Sequence, residues 1–396
     1  MGSFWSSNSP HFLDGLNMIK IKHIRKKILL TILLGASLHS GVLGNPVDFS
    51  WGKGIALGDV HRGFNSGSWL TSWDLLVAKS WGSRVSLARL QLVGSQFSPI
   101  LDSHGEWTFT ESSWAKIDTF LSRARENNIQ VLIDLHRKRD YFPRSHSAED
   151  WGSPQNRAKL CSIWRSIALR YGQNRGVIAG YDILNEPAPP NNASGYEMWN
   201  QTLAEVSAAI RQIDTYHTII VESAGFGSAH CFNYLVPTDD NNTVYSFHLY
   251  TPHEFSEQGT RKEWPFGRDL VSGYTYPGII PLGWDTKVDT LVDSDYISAR
   301  LEPIRQFQDR YNKRIYVGEF GCIRWTPTAP GAAHNSTYYW LRDVLDLIEA
   351  EGWDWTQHSF RESANGAYAI EHSSDRADNA RYPDTDLLQL FKNYWD

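Results

Sequence analysis

The stretch IAGYDILNEPAPP, residues Ile178 to Pro190, carries the clearest structural signal in the sequence. Its first part, Ile178 to Leu184, has the apolar content of a strand that is buried on both faces of a parallel sheet. Asn185 and Glu186 follow at once, and Pro187 then ends the strand because proline cannot donate to the hydrogen-bond ladder. The stretch therefore predicts a carboxamide and a carboxylate at the carboxyl end of a parallel strand.

A second apolar run, Arg314 to Gly318, delivers Glu319 in the same way, and Phe320 and Gly321 follow it. We expect Glu186 and Glu319 to lie at one edge, because the carboxyl ends of parallel strands meet there. Cleavage of a glycosidic bond needs two such carboxylates, one as proton donor and one as nucleophile or base. The pair therefore indicates chemistry on a sugar.

From Phe49 on, short apolar runs alternate with amphipathic helical patterns, which is typical of an α/β protein with a parallel sheet. We count eight strand and helix pairs, and eight favour a closed (β/α)8 TIM barrel over an open sheet. No repeat or linker marks a second domain. The predicted strands are Gly52 to Gly58, Arg84 to Leu92, Ile129 to Leu135, Ile178 to Leu184, Thr218 to Glu222, Val244 to Phe247, Arg314 to Gly318, and Trp353 to Ser359.

The motifs at the strand ends resemble those of glycoside hydrolase family 5, the cellulase family of the retaining clan A. They are Asn185-Glu186-Pro187, His248-Leu249-Tyr250 and Glu319-Phe320-Gly321, in this order along the chain. The resemblance implies a TIM barrel and a retaining hydrolase with two glutamates and no cofactor. Its recurrent active-site set corresponds here to Arg89, His136, Asn185, Glu186, His248, Tyr250 and Glu319.

The roles within this set follow from the chemistry together with the resemblance. Glu186 is expected to be the acid and to keep its proton near neutral pH, whereas Glu319 must lose its proton to attack. The guanidinium of Arg89 and the hydroxyl of Tyr250 would keep Glu319 ionised. Asn185 is expected to hold the sugar 2-hydroxyl beside the reacting carbon.

The remaining polar residues at the predicted strand ends have less specific roles. His136 and His248 would position sugar hydroxyls or the acid itself. We assign Asp134, Asp182 and Glu222 to structural hydrogen bonds or to contacts with substrate, and the sequence leaves these two interpretations open.

The sequence departs from the family at one point. After the last strand the family presents a tryptophan as a floor for the sugar, and here His358 aligns with it. Trp355 or Phe360 could replace that floor, so three candidates stay open. We also expect the long loop from Thr251 to Asp295 to form a wall of the cleft, because it is rich in aromatic residues.

Composition limits the class of protein further. A length of 396 residues suits one barrel domain, and a net charge of -6 with a pI near 6.2 gives no basic surface for nucleic acid or anionic lipid. The chain has 17 Trp, 18 Tyr and 17 Phe, and aromatic planes stack on the C–H faces of sugars. We expect a monomer whose partner is a polysaccharide or oligosaccharide.

The N-terminal part, residues 1–44, is predicted to be an extension followed by a secretory signal peptide. Basic residues after Met18 precede the apolar run Ile28 to Leu34 and small residues up to Gly44. The apolar part is shorter than the roughly 20 residues that a membrane-spanning helix needs. We expect residues 45–396 to be the secreted catalytic domain.

The three cysteines allow at most one disulfide bond within the chain. Cys161 lies on the apolar face of a predicted helix and is expected in the core. Cys231 and Cys322 both follow predicted strand ends, and the sequence does not decide whether they pair. The absence of a Cys and His cluster in the sequence predicts no metal site.

The leading functional hypothesis is a secreted endo-β-1,4-glucanase, that is, a cellulase. A β-mannanase or another β-glycanase of the same family is the alternative among enzymes. A catalytically inactive carbohydrate-binding barrel is the alternative from another class. Retention of Glu186 and Glu319 together favours the enzyme, because binding alone does not require both carboxylates.

Overall fold

The structure is a computed structural model that describes residues 60–136, 141–143, 145–174, 176–259, 272–283, 286–362, 367–372, 382–383 and 385–396. Eight parallel strands, β1 to β8 in chain order, form a closed barrel in which each strand pairs with its neighbours in sequence and β8 pairs with β1. Helices connect the strands. The predicted α/β fold, a single (β/α)8 TIM barrel, is confirmed. The predicted targeting segment, 1–44, lies outside the described residues.

Seven of the eight barrel strands overlap the segments that the sequence predicts. The exception is β1, because the predicted first strand at 52–58 lies outside the described residues and the segment RGFNSG occupies the first position instead. This segment has a single large apolar residue, Phe64, so it carries no apolar run. The strands are Arg62–Gly67 (β1), Val85–Gln91 (β2), Gln130–Asp134 (β3), Ile178–Asp182 (β4), Thr218–Glu222 (β5), Thr243–Leu249 (β6), Ile315–Phe320 (β7) and Asp354–Gln357 (β8).

The described residues form eleven helices, α1 to α11, and polar side chains cap several of them. Thr71 and Asp74 form a capping box at the start of α1, and Asn192 caps α5. None of the described helices combines the length and apolar character needed to cross a membrane. The helices are Ser72–Ser80, Glu111–Glu126, Ala148–Gly152, Pro154–Tyr171, Ala193–Arg211, Ala224–Gly227, His253–Ser256, Ser294–Arg300, Glu302–Tyr311, Ser336–Glu351 and Thr385–Trp395.

Short strands and 3-10 turns occur in the loops of the barrel. In the part of the chain that the structure describes, two 3-10 turns occur, and short strands form two antiparallel hairpins and one three-stranded sheet. The turns are Ser95–Phe97 and Ala229–Tyr234. The short strands are Ile100–Leu101, Trp107–Thr108, Gly278–Leu282, Val288–Val292, Arg361–Glu362, Glu371–His372 and Tyr382–Pro383.

The inside of the barrel changes from apolar to charged along the strands. Residues two apart on a strand face the same side, so Leu87 is followed inward by Arg89, Leu132 by Asp134, and Ile220 by Glu222. The fold thereby places a buried charged layer next to an apolar layer inside the barrel. The apolar layer consists of Leu87, Leu132, Ala179, Ile220, Val244 and Tyr316.

All three cysteines are free and buried. Cys161 lies in α4 as predicted, and burial raises the pKa of its thiol to about 11. Cys231 and Cys322, whose pairing the sequence left open, form no disulfide bond. The Cys322 thiol lies 3.8 Å from the hydroxyl of Thr337.

The expectation of an aromatic cleft wall in the loop from Thr251 to Asp295 is wrong for the aromatic residues that the structure describes there. Phe255 and Tyr276 are fully buried and pack against each other, with ring centroids 5.6 Å apart. Tyr274 packs against the same core. Among the described residues of this loop, Thr251, His253 and Glu257 line the cavity at the barrel mouth. Trp264, Phe266 and Trp284 lie outside the described residues.

Candidate active site

Glu319 reaches the barrel mouth because β7 changes its register against β6 between Val317 and Glu319. Such an irregularity re-aims the side chains that follow it. Gly318 makes the close approach possible, because a Cβ there would lie 2.7 Å from Ser246 Oγ and 3.1 Å from His248 Nε2. The strand therefore needs glycine directly before the carboxylate.

Arg89 lies fully buried at the centre of the charged layer, with four carboxylates around it. Its Nε donates to Asp182 Oδ2 at 2.8 Å, its Nη1 to Glu319 Oε1 at 2.7 Å, and its Nη2 to Glu222 Oε1 at 2.8 Å. Asp134 Oδ2 is 3.2 Å from Nη2. Burial alone would lower the pKa of Arg89, but these carboxylates raise it well above its usual value. The guanidinium is therefore a permanent cation beside Glu319.

Two asparagines complete the hydrogen bonds of Arg89. Asn65 Oδ1 accepts from Nη1 at 3.1 Å, and Asn185 Oδ1 accepts from Nη2 at 3.0 Å. Asn65 Nδ2 in turn donates to the carbonyl of Gly318 at 2.9 Å. These contacts orient both amides, so the Nδ2 group of Asn185 is left as the donor of that side chain. Asn65 was not predicted, because the sequence places the first strand before it.

The two carboxylate oxygens of Glu319 accept hydrogen bonds from different donors. Oε1 accepts from Arg89 Nη1 at 2.7 Å and from Gln91 Nε2 at 3.0 Å. Oε2 accepts from the hydroxyl of Tyr250 at 2.9 Å. Gln91 was missed in the sequence, although it follows Arg89 by two residues and so shares its inward face. Three donors therefore hold one carboxylate.

Positive charge dominates the surroundings of Glu319. Burial would raise its pKa, but the charge of His248, followed by those of His358 and Arg89, outweighs burial and holds the pKa of Glu319 below its usual range. Burial, together with the charge of Glu319, raises the pKa of Tyr250 well above its usual value. Tyr250 therefore keeps its proton and donates to an ionised carboxylate.

Glu186 follows β4 with a backbone that non-glycine residues rarely adopt. Its φ is 50°, in the left-handed region, which costs about 1 kcal/mol for such a residue. Its backbone N–H donates to Glu222 Oε2 at 2.7 Å, and Pro187 follows it. Glu222 thus fixes the turn that aims Glu186 at the barrel axis. The side chain of Glu186 keeps 25% of its surface exposed.

His248 connects the two glutamates. Its Nδ1 lies 3.1 Å from Glu186 Oε1 and 3.8 Å from Glu319 Oε2, and its Nε2 lies 3.2 Å from Glu222 Oε1. Burial would lower the pKa of His248, but the charges of Glu222 and Glu319 raise it well above its usual value. The two carboxylates therefore favour the imidazolium form of the buried ring.

One oxygen of Glu186, one nitrogen of His248 and one oxygen of Glu319 all lie within 4.8 Å of one another. Carboxyl groups about 5 to 5.5 Å apart are typical of retaining glycosidases, whereas inverting enzymes keep about 6.5 to 9.5 Å between them. The spacing agrees with the shorter class. Glu186, His248 and Glu319 are also close enough to ligate one metal ion, which the sequence did not predict. A cation bound there would lie between the two carboxylates.

A cavity of about 790 Å³ opens above these groups. His136, predicted at the end of the third strand, lines it and places its Nδ1 3.0 Å from Asp134 Oδ2. Aromatic side chains on the cavity wall offer planes for sugar rings. They are Phe226, Tyr250, Tyr296 and Tyr368.

Of the three candidates for the sugar floor, only His358 lines the cavity, with its Nδ1 3.9 Å from Glu319 Oε2. Trp355 is fully buried and donates to Glu349 Oε1 at 2.8 Å, and Phe360 is fully buried against Phe64. Both point into the outer core rather than toward the mouth. Neither replaces the tryptophan of the family, and an imidazole occupies the position instead.

Taken together, the predicted set converges on one place. Arg89, Asn185, Glu186, His248, Tyr250 and Glu319 are joined by direct contacts, and His136 lines the same cavity. Asp134, Asp182 and Glu222 surround Arg89, which fits the structural interpretation of these carboxylates.

A family model described as cellulase, glycosyl hydrolase family 5, matches residues 75–362. The chain belongs to this family. It is accordingly a glycoside hydrolase, and the resemblance inferred from the strand-end motifs is confirmed.

Individual family members are distant in sequence. Endoglucanase C of Acetivibrio thermocellus is 24% identical over 316 residues, which are 72% of this chain and 87% of that protein. The structure of Thermotoga maritima Cel5A in complex with cellobiose has a TM-score of 0.66 and 22% identity, covering 86% of this chain and 99% of that one. The same enzyme with mannotriose gives a TM-score of 0.65 and 21% identity, with the same coverage.

Proposed function

We propose that the protein is a secreted, retaining endo-β-1,4-glucanase in which Glu186 is the acid and base and Glu319 is the nucleophile. The proposal rests chiefly on the unequal surroundings of Glu186 and Glu319. One oxygen of each carboxylate lies within 4.8 Å of the His248 ring, whose pKa is raised well above its usual value. Glu319 is held ionised by cations, whereas Glu186 is partly exposed at the cavity. One side chain type thereby serves two roles.

In the first step Glu319 attacks the anomeric carbon while Glu186 gives its proton to the departing glycosidic oxygen. Oε1 of Glu186 accepts from His248 Nδ1, so the acid proton belongs on Oε2. We expect the Nδ2 group of Asn185, whose amide oxygen accepts from Arg89, to donate to the sugar 2-hydroxyl. That bond strengthens as positive charge develops on the sugar ring.

In the second step a water molecule takes the place of the leaving group. Glu186, now ionised, accepts a proton from this water, and the water oxygen attacks the anomeric carbon to release Glu319. Two inversions at one carbon give net retention. The imidazolium of His248 stabilises the negative charge that Glu186 carries between the steps.

The choice of a β-1,4-glucan rests on the family relatives. The Acetivibrio thermocellus relative is named an endoglucanase, and the Thermotoga maritima enzyme is described in complex with cellobiose. The mannotriose complex of that second enzyme favours a β-mannan as the alternative substrate. His358 stands where the family has a tryptophan under the sugar. The side chain at that position is therefore polar, which affects the choice between a glucan and a mannan as substrate.

A panel of soluble polysaccharides tests the proposal, with reducing ends as the readout. Carboxymethylcellulose, lichenan, glucomannan, galactomannan and xylan are each incubated with the wild type and with Glu319→Gln. We expect the wild type to act fastest on cellulose derivatives or lichenan, with a rapid fall in viscosity. Fastest action on galactomannan would make the protein a mannanase, and binding to these polymers without any cleavage would make it an inactive carbohydrate-binding barrel.

The stereochemistry of the reaction has its own test. Retention predicts that proton NMR detects the β anomer of the new reducing end first, before mutarotation produces the α anomer. Appearance of the α anomer first would indicate an inverting reaction and would refute the role proposed for Glu319.

Secretion, a monomeric state and a catalytic domain at residues 45–396 belong to the same proposal. Secretion and the start of the domain at residue 45 rest on the signal-like pattern within 1–44. Expression of the full chain in a secreting host, followed by N-terminal sequencing and size measurement of the protein in the medium, tests all three.

A further inference from the structure

We infer that Gln91 is a positioning residue that works with Arg89 to saturate Oε1 of Glu319 and so directs the attack through Oε2. The inference rests on the proposed function, because it concerns how the proposed nucleophile is held. Gln91 is the last residue of β2, and no part of the active-site set expected from the family includes it.

The two oxygens of Glu319 differ in how fully their lone pairs are used. A carboxylate oxygen has two lone pairs in the plane of the group. Arg89 Nη1 at 2.7 Å and Gln91 Nε2 at 3.0 Å use both on Oε1. On Oε2 the hydroxyl of Tyr250 at 2.9 Å uses one. The nearest imidazole nitrogens, those of His248 and His358, lie at 3.8 and 3.9 Å from Oε2, beyond hydrogen-bond distance.

The position of the cavity agrees with this assignment. The side chains around Oε2, those of Tyr250, His248 and His358, all line the cavity where a sugar would lie. Among the described residues that line it, neither Arg89 nor Gln91 occurs. Oε2 therefore lies among side chains that border the space the substrate would occupy, whereas Oε1 is held by two side chains from β2.

A second donor on Oε1 has a mechanical purpose that Arg89 alone does not serve. The terminal torsion of a glutamate is broad, so a carboxylate held at one oxygen by one donor can turn about its last bond. Donors from Arg89 and Gln91 reach Oε1 from two directions, and Tyr250 holds Oε2. An amide achieves this without adding charge to a layer that already holds four carboxylates around one guanidinium.

In the covalent step a lone pair of Oε2 forms the bond to the anomeric carbon, and the bond from that carbon to the glycosidic oxygen breaks. The proton of Glu186 goes to that departing oxygen. Oε1, which does not bond to the anomeric carbon, keeps its two donors throughout, so Gln91 stabilises the carboxylate before the attack and the ester carbonyl after it.

Two substitutions at Gln91 test the inference, with Gln306→Glu as a matched control on the exposed face of α9. Gln91→Leu removes the donor, and we expect kcat/KM to fall about 10- to 100-fold, the loss typical of a hydrogen bond to a charged group. KM should change little, because Gln91 contacts the carboxylate of Glu319 and is not among the described residues that line the cavity. Inactivation by a 2-deoxy-2-fluoro glycoside, which reports the first covalent step alone, should slow by the same factor.

Gln91→Glu supplies a readout that a merely structural role would not change. It places a second carboxylate beside Oε1, and like charges at that distance raise the pKa of the pair. We expect the acidic limb of the kcat/KM profile to move to higher pH by about one unit or more, while Gln306→Glu leaves the profile in place. Circular dichroism and thermal unfolding of each variant show that the fold is kept.

The outcomes separate this inference from the proposed function. Wild-type kcat/KM and an unmoved acidic limb in both Gln91 variants, in an enzyme that is active, would refute the role of Gln91 alone. A fall in thermal stability with unchanged kinetics would also refute it, because it would make Gln91 purely structural. No cleavage of any glycan by the wild type would refute the proposed function and this inference with it.

Discussion

Glu186 and Glu319 are the same side chain at the ends of two strands of one barrel, yet their surroundings differ in almost every respect. The side chain of Glu319 is 6% exposed, accepts hydrogen bonds from three side chains and lies among cations that depress its pKa. The side chain of Glu186 is 25% exposed and contacts the imidazolium of His248. The difference shows that neighbouring side chains, and not the residue type, set the exposure and the hydrogen bonds of each glutamate.

The source of the difference is the strand on which each neighbour lies. Arg89 and Gln91 both project from β2, and the closed barrel brings β2 to face β7 across its interior. Glu186 instead receives its backbone contact from Glu222 on the adjacent strand β5, a carboxylate rather than a cation. The closed barrel therefore holds the carboxylate of Glu319 with Arg89 and Gln91 from β2, whereas the carboxylate of Glu186 is more exposed and contacts His248.

The largest effect is expected for Glu319→Gln, which keeps the size of the side chain and removes the nucleophile. We expect kcat/KM to fall by about 10⁴-fold or more with every substrate, including activated aryl glycosides, because the covalent step itself is lost. Kinetics on carboxymethylcellulose and on a 2,4-dinitrophenyl glycoside measure this. Activity within about tenfold of wild type on either substrate would contradict the comparison.

Glu186→Gln should have a large effect that depends on the leaving group. Loss of the proton donor is expected to lower kcat/KM on a polysaccharide by about 10²- to 10⁴-fold. The loss should be much smaller on a 2,4-dinitrophenyl glycoside, whose leaving group needs no proton. If both substrates lose activity equally, Glu186 is not the acid, and the contrast between the two carboxylates fails.

Tyr250→Phe is expected to have an intermediate effect, because it removes the hydrogen bond to Oε2 of Glu319 and leaves the ring in place. A bond to a charged group contributes about 1.5 to 3 kcal/mol, which corresponds to a fall of about 10- to 100-fold in kcat/KM. The acidic limb of the pH profile should move upward, because the ionised carboxylate loses a donor. A variant that keeps wild-type kcat/KM would show that Tyr250 does not support the nucleophile.

The smallest effect concerns stability against pH. The pKa of Glu319 in the folded protein is below its ordinary value of 4.5, so the unfolded chain binds that proton more tightly. The stabilisation is complete above about pH 4.5 and is lost as the pH falls toward the folded pKa. The free energy of unfolding of the wild type should therefore decline more than that of Glu319→Gln between about pH 6 and pH 3. Parallel curves from urea titrations would show that Glu319 is not held by charge.

The barrel strands differ in how clearly the sequence predicts them. The segment Thr218–Glu222 is predicted to the residue, because a strand buried on both faces is a continuous apolar run. The strand Arg62–Gly67 has no such run, and its position depends on barrel closure, in which it pairs with both β2 and β8. Closure is a property of all eight strands and leaves no local signal.

The site divides in the same way. Glu186 and Glu319 stand in motifs at strand ends, so their position and pairing are visible in the sequence. Gln91 carries no motif, and only its spacing of two from Arg89 on a strand could have placed it on the inward face. The choice of His358 over Trp355 depends on how the chain turns after β8, which the alternation of apolar residues does not determine.

The most direct test of the account is to identify which carboxylate becomes bonded to the sugar. The wild-type enzyme is incubated with a 2-deoxy-2-fluoro cellobioside that carries a good leaving group, digested, and analysed by peptide mass spectrometry. We expect a fluorinated sugar on the peptide that contains Glu319 and none on the peptide that contains Glu186. A sugar on Glu186, or full inactivation with Glu319 unmodified, would contradict it.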